Sequence, residues 1–326
     1  MSESHSLFSS VRLISVCTFL SRVLGLARDM ICASIFGTSM VWDAFTVAFK
    51  IPNLFRRLFG EGALSAAFIP VFTEQIEKRG RQEALAFVNI VATALIIILG
   101  SIVLLGEGAF FTIPRIFEVQ EKWQLILKLS IIMFPYVFFI CLVAFMGAVL
   151  NTLNHFFMPA FAPVVMNVCW ILGAVLSPYT GKTLEMMIYA VAISTFLSGL
   201  IQVIIHIPTL RKKELYYRPV PQFSHPGLRL VLTRMAPIVF GLGIVQVNVL
   251  LDSLIAVGFS APQGSLSHFN FAGIAVHFPM KAGAASVLYY SDRLIQFPLG
   301  VFGIAVATAV FPLFSTHAVR EDWSNF

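Results

Sequence analysis

Long apolar stretches dominate this sequence and limit what it can fold into. A helix that spans a membrane needs about 20 mostly apolar residues, and we identify eight such stretches. They cover residues 11–36, 41–59, 84–105, 125–150, 159–176, 184–207, 228–257 and 288–314. Hydrophobic residues make up 58% of the chain and charged residues 12%, which leaves too few polar side chains to cover a water-soluble fold. The sequence predicts an all-α, polytopic membrane protein.

The basic residues predict the orientation of the chain. Lys and Arg collect in cytoplasmic loops, and two connections, after the second and the sixth span, are rich in them. These residues are Arg56, Arg57, Lys78, Arg79, Arg81, Arg211, Lys212, Lys213, Arg218 and Arg229. We therefore expect both termini of this chain to be cytoplasmic. The net charge of +6 follows from this orientation, and no single basic face indicates nucleic-acid binding.

A weak internal repeat suggests two halves. Asp43 in the second span and Asp292 in the eighth are each followed by a proline-containing motif, as in transporters built from parallel repeats. The expected organisation is a first lobe with spans one to six (1–210), a cytoplasmic connection (211–227) and the start of a second lobe with spans seven and eight (228–326). A second half with only two spans is typical of a truncated chain.

Two arginines lie inside the first predicted span. A cation at the centre of a bilayer costs from about 3 to more than 10 kcal/mol, so such a charge indicates function by default. Arg22 lies near the middle of the span and Arg28 about two turns later. Asp29 follows Arg22 by seven residues on the same face, which suggests a partial internal ion pair. The alternative is that this pair is only structural.

Further charges recur in the second span. Asp43, Lys50 and Arg57 are spaced by seven residues and so share one stripe of a helix. Such a stripe is not expected to face lipid. Arg56 lies beside the stripe, and the alternative for Arg56 and Arg57 is that they anchor a helix end by snorkelling.

The last two spans also carry polar residues. Arg293 follows Asp292, and an acid–base pair of this kind could be an ordinary helix start. Because Asp292 matches Asp43 in the repeat, we instead expect Arg293 to face the same cavity as the first two spans. Asn248 and Asp252 lie one turn apart in span seven and suggest a buried polar site, structural or for a cation; the sequence identifies no particular metal.

The sequence contains no motif that indicates an enzyme or a cofactor. It lacks a zinc-protease H-E-x-x-H, a phosphate-binding G-x-x-x-x-G-K-[ST] loop and a G-x-S-x-G nucleophile elbow. What remains is a set of arginines in a polar chamber inside the membrane. Guanidinium groups bind phosphate oxygens in a bidentate fork, so a phosphate-bearing substrate is expected.

Several multi-residue motifs resemble the MurJ (MviN) family of lipid II flippases. The matching segments are SRVLGLARD at 21–29, DAF at 43–45, PNLFRRLF at 52–59, GAVLNT at 147–152, PAFAP at 159–163 and YSDRL at 290–294. They occur in the family's order over most of the chain. The chain departs from the family pattern in lacking the last six spans.

The resemblance implies a transporter of fourteen spans in two lobes that works by alternating access. Its substrate would be lipid II, the undecaprenyl-pyrophosphate-linked peptidoglycan precursor, moved across the bacterial inner membrane without a cofactor. By motif match the cavity residues would be Arg22, Arg28, Asp43, Arg56 and Arg293. Besides lipid II and the membrane, the implied partners are the missing C-terminal half and cell-wall synthesis proteins.

Two other functions stay open at this point. The first is a cation-coupled drug exporter of the same fold, which would favour acids and aromatic residues in its cavity over clustered arginines. The second is a truncated remnant or scaffold that does not transport.

Overall fold

The fold is almost entirely helical. The structure, a computed structural model, describes residues 2–59, 63–261, 268–271 and 274–299. Its helices are α1 (Ser2–Phe36), α2 (Met40–Leu58), α3 (Leu64–Arg79), α4 (Arg81–Ile116), α5 (Glu121–Met133), α6 (Tyr136–Thr152), α7 (Phe157–Leu176), α8 (Leu184–Lys212), α9 (Pro226–Gly258) and α10 (Ala284–Pro298). A short antiparallel hairpin of β1 (His268–Phe271) and β2 (Ile274–His277) lies between α9 and α10, with His268 opposite His277. The predicted helical class is confirmed.

Several helices meet the length and hydropathy of a membrane span. Among the described residues these are α4, α7, α8 and α9, and the consecutive pair α5 and α6 forms a fifth candidate. The helices are thus long and apolar enough to cross a membrane, as the composition predicts. The predicted total of eight spans stays a prediction, and the part of the eighth span beyond residue 299 lies outside the described residues.

The fourth predicted span is two helices instead of one. α5 ends at Met133, α6 begins at Tyr136, and the two are bent by 41°. Pro135 lies at the break. Proline has no backbone N–H and its ring clashes with the preceding turn, so a continuous helix is disfavoured. The pair still counts as one bent candidate span, so the fourth predicted span (125–150) is broken at Pro135.

The connection after α2 contains a core helix. This helix, α3, packs against α4, α6 and α9. Its buried face carries Phe68, Val71 and Phe72. Phe68 stacks on Phe72 and on Phe87 of α4. This three-to-four-residue spacing of large apolar side chains is typical of a helix with one buried face.

Aromatic packing joins α10 to the first two helices. Ser39 caps α2, and its hydroxyl accepts a hydrogen bond from the backbone N–H of Trp42 at 3.3 Å. Trp42 is fully buried and stacks on Phe36 of α1 and on Tyr290 of α10. Its ring also meets Tyr289 edge to face. These contacts bring the start of α10 against the ends of α1 and α2.

Candidate functional site

A cluster of charges joins α1 to α10. Both Nε and Nη2 of Arg28 donate to Oδ1 of Asp29, at 3.0 and 2.7 Å. The hydroxyl of Tyr289 donates to the same oxygen at 3.0 Å. The other carboxylate oxygen, Oδ2, lies 3.6 Å from Nε of Arg293. A single carboxylate therefore lies between two guanidinium groups from opposite ends of the described chain.

Arg28 is held on its other side by α7. Its Nη1 donates to Oδ1 of Asn167 at 3.1 Å, and its guanidinium lies 4.3 Å from the centre of the Trp170 ring. Asn167 in turn donates to the carbonyl oxygen of Ser21 at 2.9 Å. Arg28 is 5% exposed. Its charge is thus fixed in place, as expected for a buried cation with hydrogen-bond and π partners.

Arg22 does not make the expected pair with Asp29. Its side chain is half-buried and forms no hydrogen bond or ion pair with any residue that the structure describes. The seven-residue spacing correctly places Arg22 and Asp29 on one face of the helix. It does not show that Asp29 also reaches Arg28 beside it and Arg293 on another helix, and both of these arginines compete for the same carboxylate.

The charged stripe of α2, which the spacing predicted to share one face, meets α9 and α10. Lys50 donates to the hydroxyl of Ser253 and, at 3.5 Å, to the carbonyl oxygen of Val249. Arg57 donates to Oε1 of Gln246 at 3.4 Å. The stripe therefore lies between helices and away from lipid.

Three of these cations line one small cavity. The cavity has a volume of about 30 Å³, which is room for about two water molecules. Its basic and polar lining comprises Lys50, Asn53, Arg57, Gln246, Tyr289, Asp292 and Arg293. Arg56 is not among them; its Nε donates to Oδ1 of Asn53 at 2.9 Å. The sequence had favoured Arg56 over Arg57, and adjacent residues on a helix point about 100° apart.

Asp43 caps α10. Its Oδ2 accepts the backbone N–H of Gly283 at 2.8 Å, and its Oδ1 accepts the backbone N–H of Ser286 at 2.6 Å as well as the Ser286 hydroxyl. These are the free N–H groups at a helix N-terminus, where a carboxylate is favourable. The structure places Asp43 in a structural role here, and contact with a substrate stays a prediction.

Asn248 and Asp252 do not form a buried polar site. Both side chains are exposed, because α9 turns Val249 and Ser253 towards Lys50 of α2. Binding of a cation by these two residues stays a prediction. In the described part of the chain, no three His, Cys, Asp or Glu side chains come together to hold a metal.

Lys122 is a polar contact that the sequence did not single out. It is 6% exposed, and its Nζ donates to the carbonyl oxygens of Val257 and Ser260 at 3.0 and 3.2 Å. The carbonyl of Val257 belongs to the last turn of α9, where a cation is favourable, and that of Ser260 follows the helix. The sequence signal for this contact was a lone lysine on the apolar face of an amphipathic helix. The sequence signal for the α7 partner of Arg28 was Asn167, a lone polar residue inside an apolar span.

Comparison with known proteins decides the family. The sequence model of the family described as "Lipid II flippase MurJ" matches residues 32–326. The chain belongs to the MurJ family. A probable lipid II flippase MurJ of Vibrio cholerae is 38% identical over 99% of this chain, and a lipid II flippase MurJ of Burkholderia cenocepacia is 34% identical over 97%.

The fold agrees with MurJ. A solved structure of lipid II flippase MurJ in an inward closed conformation superposes with a TM-score of 0.70 at 27% identity, over 91% of this chain and 57% of that one. The Vibrio cholerae MATE transporter VcmN in its bent form gives 0.55 at 14% identity over 90% of this chain and 63% of that one, which is a likeness of fold alone. The chain spans 59% and 58% of its Vibrio and Burkholderia MurJ relatives.

Proposed function

We propose that this chain forms the first lobe, and the first two helices of the second lobe, of a flippase for lipid II. The observation that carries the proposal is the convergence of Lys50, Arg57 and Arg293 on one cavity, with Arg28 joined to it through Asp29. Asp29 and Asp292 offset only part of the charge of these four cations. The surplus of positive charge between helices suits the pyrophosphate of the lipid.

The arginines have different parts in this proposal. Arg28 is fixed by Asp29 and Asn167 and supplies a stationary charge. The side chain of Arg293 is 32% exposed, so its guanidinium can rotate towards a phosphate. Arg22 is available to the substrate, and Arg56 positions Asn53 in the cavity wall.

The cavity must open before it can take a substrate. A volume of about 30 Å³ is too small for a pyrophosphate, so α9 and α10 have to move away from α1 and α2. The contacts that would break include Asp29–Arg293 and Arg57–Gln246. A phosphate that replaces Asp29 beside Arg293 exchanges one anion for another, which keeps the net cost of opening small. In this form of alternating access, the same cations have different partners in the two states.

Both basic connections are proposed to lie in the cytoplasm, together with both termini of this chain. In support, the start of α4 contacts the end of α8: Nη2 of Arg81 donates to the carbonyl oxygen of Lys213 at 3.1 Å and lies 3.5 Å from Glu214. The two connections are therefore at the same end of the helices. The contact between Lys122 and the end of α9 belongs to the other end.

Binding of lipid II tests the proposal directly. The purified chain is titrated with fluorescently labelled lipid II in detergent, beside Arg293→Gln and a matched control, Arg115→Gln, which changes an exposed arginine at the end of α4. We expect Arg293→Gln to weaken binding about tenfold, because it removes a charge-assisted contact, and Arg115→Gln to leave it unchanged. Equal affinities in all three proteins would overturn the proposal.

Complementation tests transport. A bacterium depleted of its own flippase receives this chain alone or joined to the last six helices of a relative. The two-lobe proposal expects growth only from the joined protein, because the site lies between lobes that move against each other. Failure of a joined protein that is abundant in the membrane would contradict it.

A further inference from the structure

A second, larger cavity lies between α4, α6 and α8. Its volume is about 350 Å³, within the range of small-molecule sites. Most of its lining is apolar and includes Ile96 of α4, Phe145 and Met146 of α6, and Leu210 of α8. It shares no residue with the cationic cavity.

The mouth of this cleft is polar and built by the segment that follows α8. Asn89 donates to the carbonyl oxygen of Tyr216 at 3.2 Å and accepts the backbone N–H of Arg218 at 3.3 Å. The hydroxyl of Tyr217 lies 3.4 Å from that of Thr93. The segment is thus held against α4, and its tyrosines, a residue type enriched at membrane interfaces, form one wall of the mouth.

The mouth also carries positive charge. Arg211 lines the cleft and is exposed, and its guanidinium makes no hydrogen bond or ion pair with any residue that the structure describes. The nearby acid, Glu214, lies 3.5 Å from Arg81. Another cavity, of about 290 Å³, adjoins the first at Asn89, Leu215 and Tyr216 and is lined by Arg218 and Glu214. Together the two cavities form an apolar cleft whose mouth carries Arg211 and Arg218 against the single acid Glu214.

We propose that this cleft binds one anionic phospholipid of the bilayer, with an acyl chain between α4 and α6 and the phosphate at Arg211. Ile96 lies seven residues beyond Asn89 along α4, which places the apolar part about 10 Å deeper than the mouth. An apolar cleft at membrane depth with a guanidinium at its entrance matches the two parts of a phospholipid. The site is independent of the function proposed above.

The test is a lipid-binding measurement on the purified full chain. Native mass spectrometry counts bound phosphatidylglycerol and phosphatidylcholine of equal chain length for the unaltered protein and for four variants. Arg211→Gln removes the phosphate contact, and Lys212→Gln is its matched control at the next exposed residue. Ile96→Trp fills the cleft, and Ile97→Trp places the same bulk on the exposed face of α4, where Ile97 is 48% exposed.

We expect the unaltered chain to prefer phosphatidylglycerol about tenfold, and Arg211→Gln to abolish that preference, because one charge-assisted contact has about this effect. Ile96→Trp should reduce binding of both lipids, and the two controls should not. Equal binding of the two lipids by the unaltered chain, or equal losses in variant and control, would overturn the proposal. So would displacement of the lipid by glycerol phosphate at matched concentration, which would show a site for phosphate alone.

Discussion

The carboxylate of Asp29 on α1 lies 3.6 Å from the guanidinium of Arg293 on α10. This contact joins the first helix of the chain to the last helix that the structure describes, across the boundary between the two predicted lobes. Because Asp29 also accepts two hydrogen bonds from Arg28, two cations share this one acid. A movement of α10 would leave Arg293 without this partner and open to an anionic substrate.

Arg22 and Arg28 should differ in their effect on stability. Arg28→Ala removes two bonds to Asp29, one to Asn167 and the contact with Trp170. We expect it to lower the free energy of unfolding by about 2 kcal/mol or more and also to weaken binding of lipid II. Arg22→Ala should weaken binding with little change in stability. Thermal unfolding in detergent and titration with labelled lipid II separate the two effects.

The outcome that would contradict this assignment is equal destabilisation by the two substitutions. An unchanged affinity of Arg22→Ala for lipid II would exclude Arg22 from the proposed site, whatever the stability of the variant.

Asp43→Ala should loosen α10. It leaves the N–H groups of Gly283 and Ser286 without their acceptor, which costs about 1–3 kcal/mol for a buried donor. Hydrogen exchange at the Ser286 amide should become faster than in the unaltered chain. The control is Asp252→Asn, which alters an exposed acid on α9. Unchanged exchange in Asp43→Ala would show that the cap contributes nothing to α10.

Gly283→Ala should destabilise the same junction through the backbone. Gly283 has a φ of 93°, and a Cβ there would overlap the carbonyl oxygen of Thr38. We expect a loss of more than about 1 kcal/mol, measured by thermal unfolding. Gly241→Ala in α9, where a Cβ meets no atom within 4 Å, should instead be neutral or stabilising. Tolerance of alanine at residue 283 would contradict the close approach of α10 to Thr38.

The start of α9 should weaken in acid. Nδ1 of His225 accepts the backbone N–H of Gly227 at 3.1 Å, which requires the neutral ring. Burial, and then the charge of Arg79, lower the pKa of His225. The unfolded chain, with a pKa of about 6.5, therefore binds a proton more readily, so this stability is present above about pH 6.5 and is lost as pH falls through the lower folded pKa.

His225→Asn tests this pH dependence, because asparagine caps a helix without titrating. The drop in melting temperature between about pH 7.5 and about pH 5.5, on either side of the unfolded pKa, should be smaller in the variant than in the unaltered chain. His155, whose pKa is also lowered by burial, is kept in both proteins so that its contribution cancels. The same drop in both proteins would exclude His225 as the titrating cap.

The sequence by itself determined the class of fold and the family. Apolar length, the stripe of Asp43, Lys50 and Arg57, and the motif order are properties of short segments, and a helix converts a fixed spacing into a shared face without help from the rest of the chain. The match between Asp43 and Asp292 in the internal repeat placed Arg293 with the charges of the first two spans.

Only the tertiary structure decided which charges are partners. Asp43 caps a helix that begins 240 residues later, and Lys122 closes the end of α9, 135 residues away. Arg28, not Arg22, holds Asp29, and Arg57, not Arg56, lines the cavity. These pairings depend on how helices cross and on which side chain is nearest when several could compete. A difference of a few ångströms decides which side chain becomes the partner, because the interaction energy of two charges in a low-dielectric interior rises steeply as they approach.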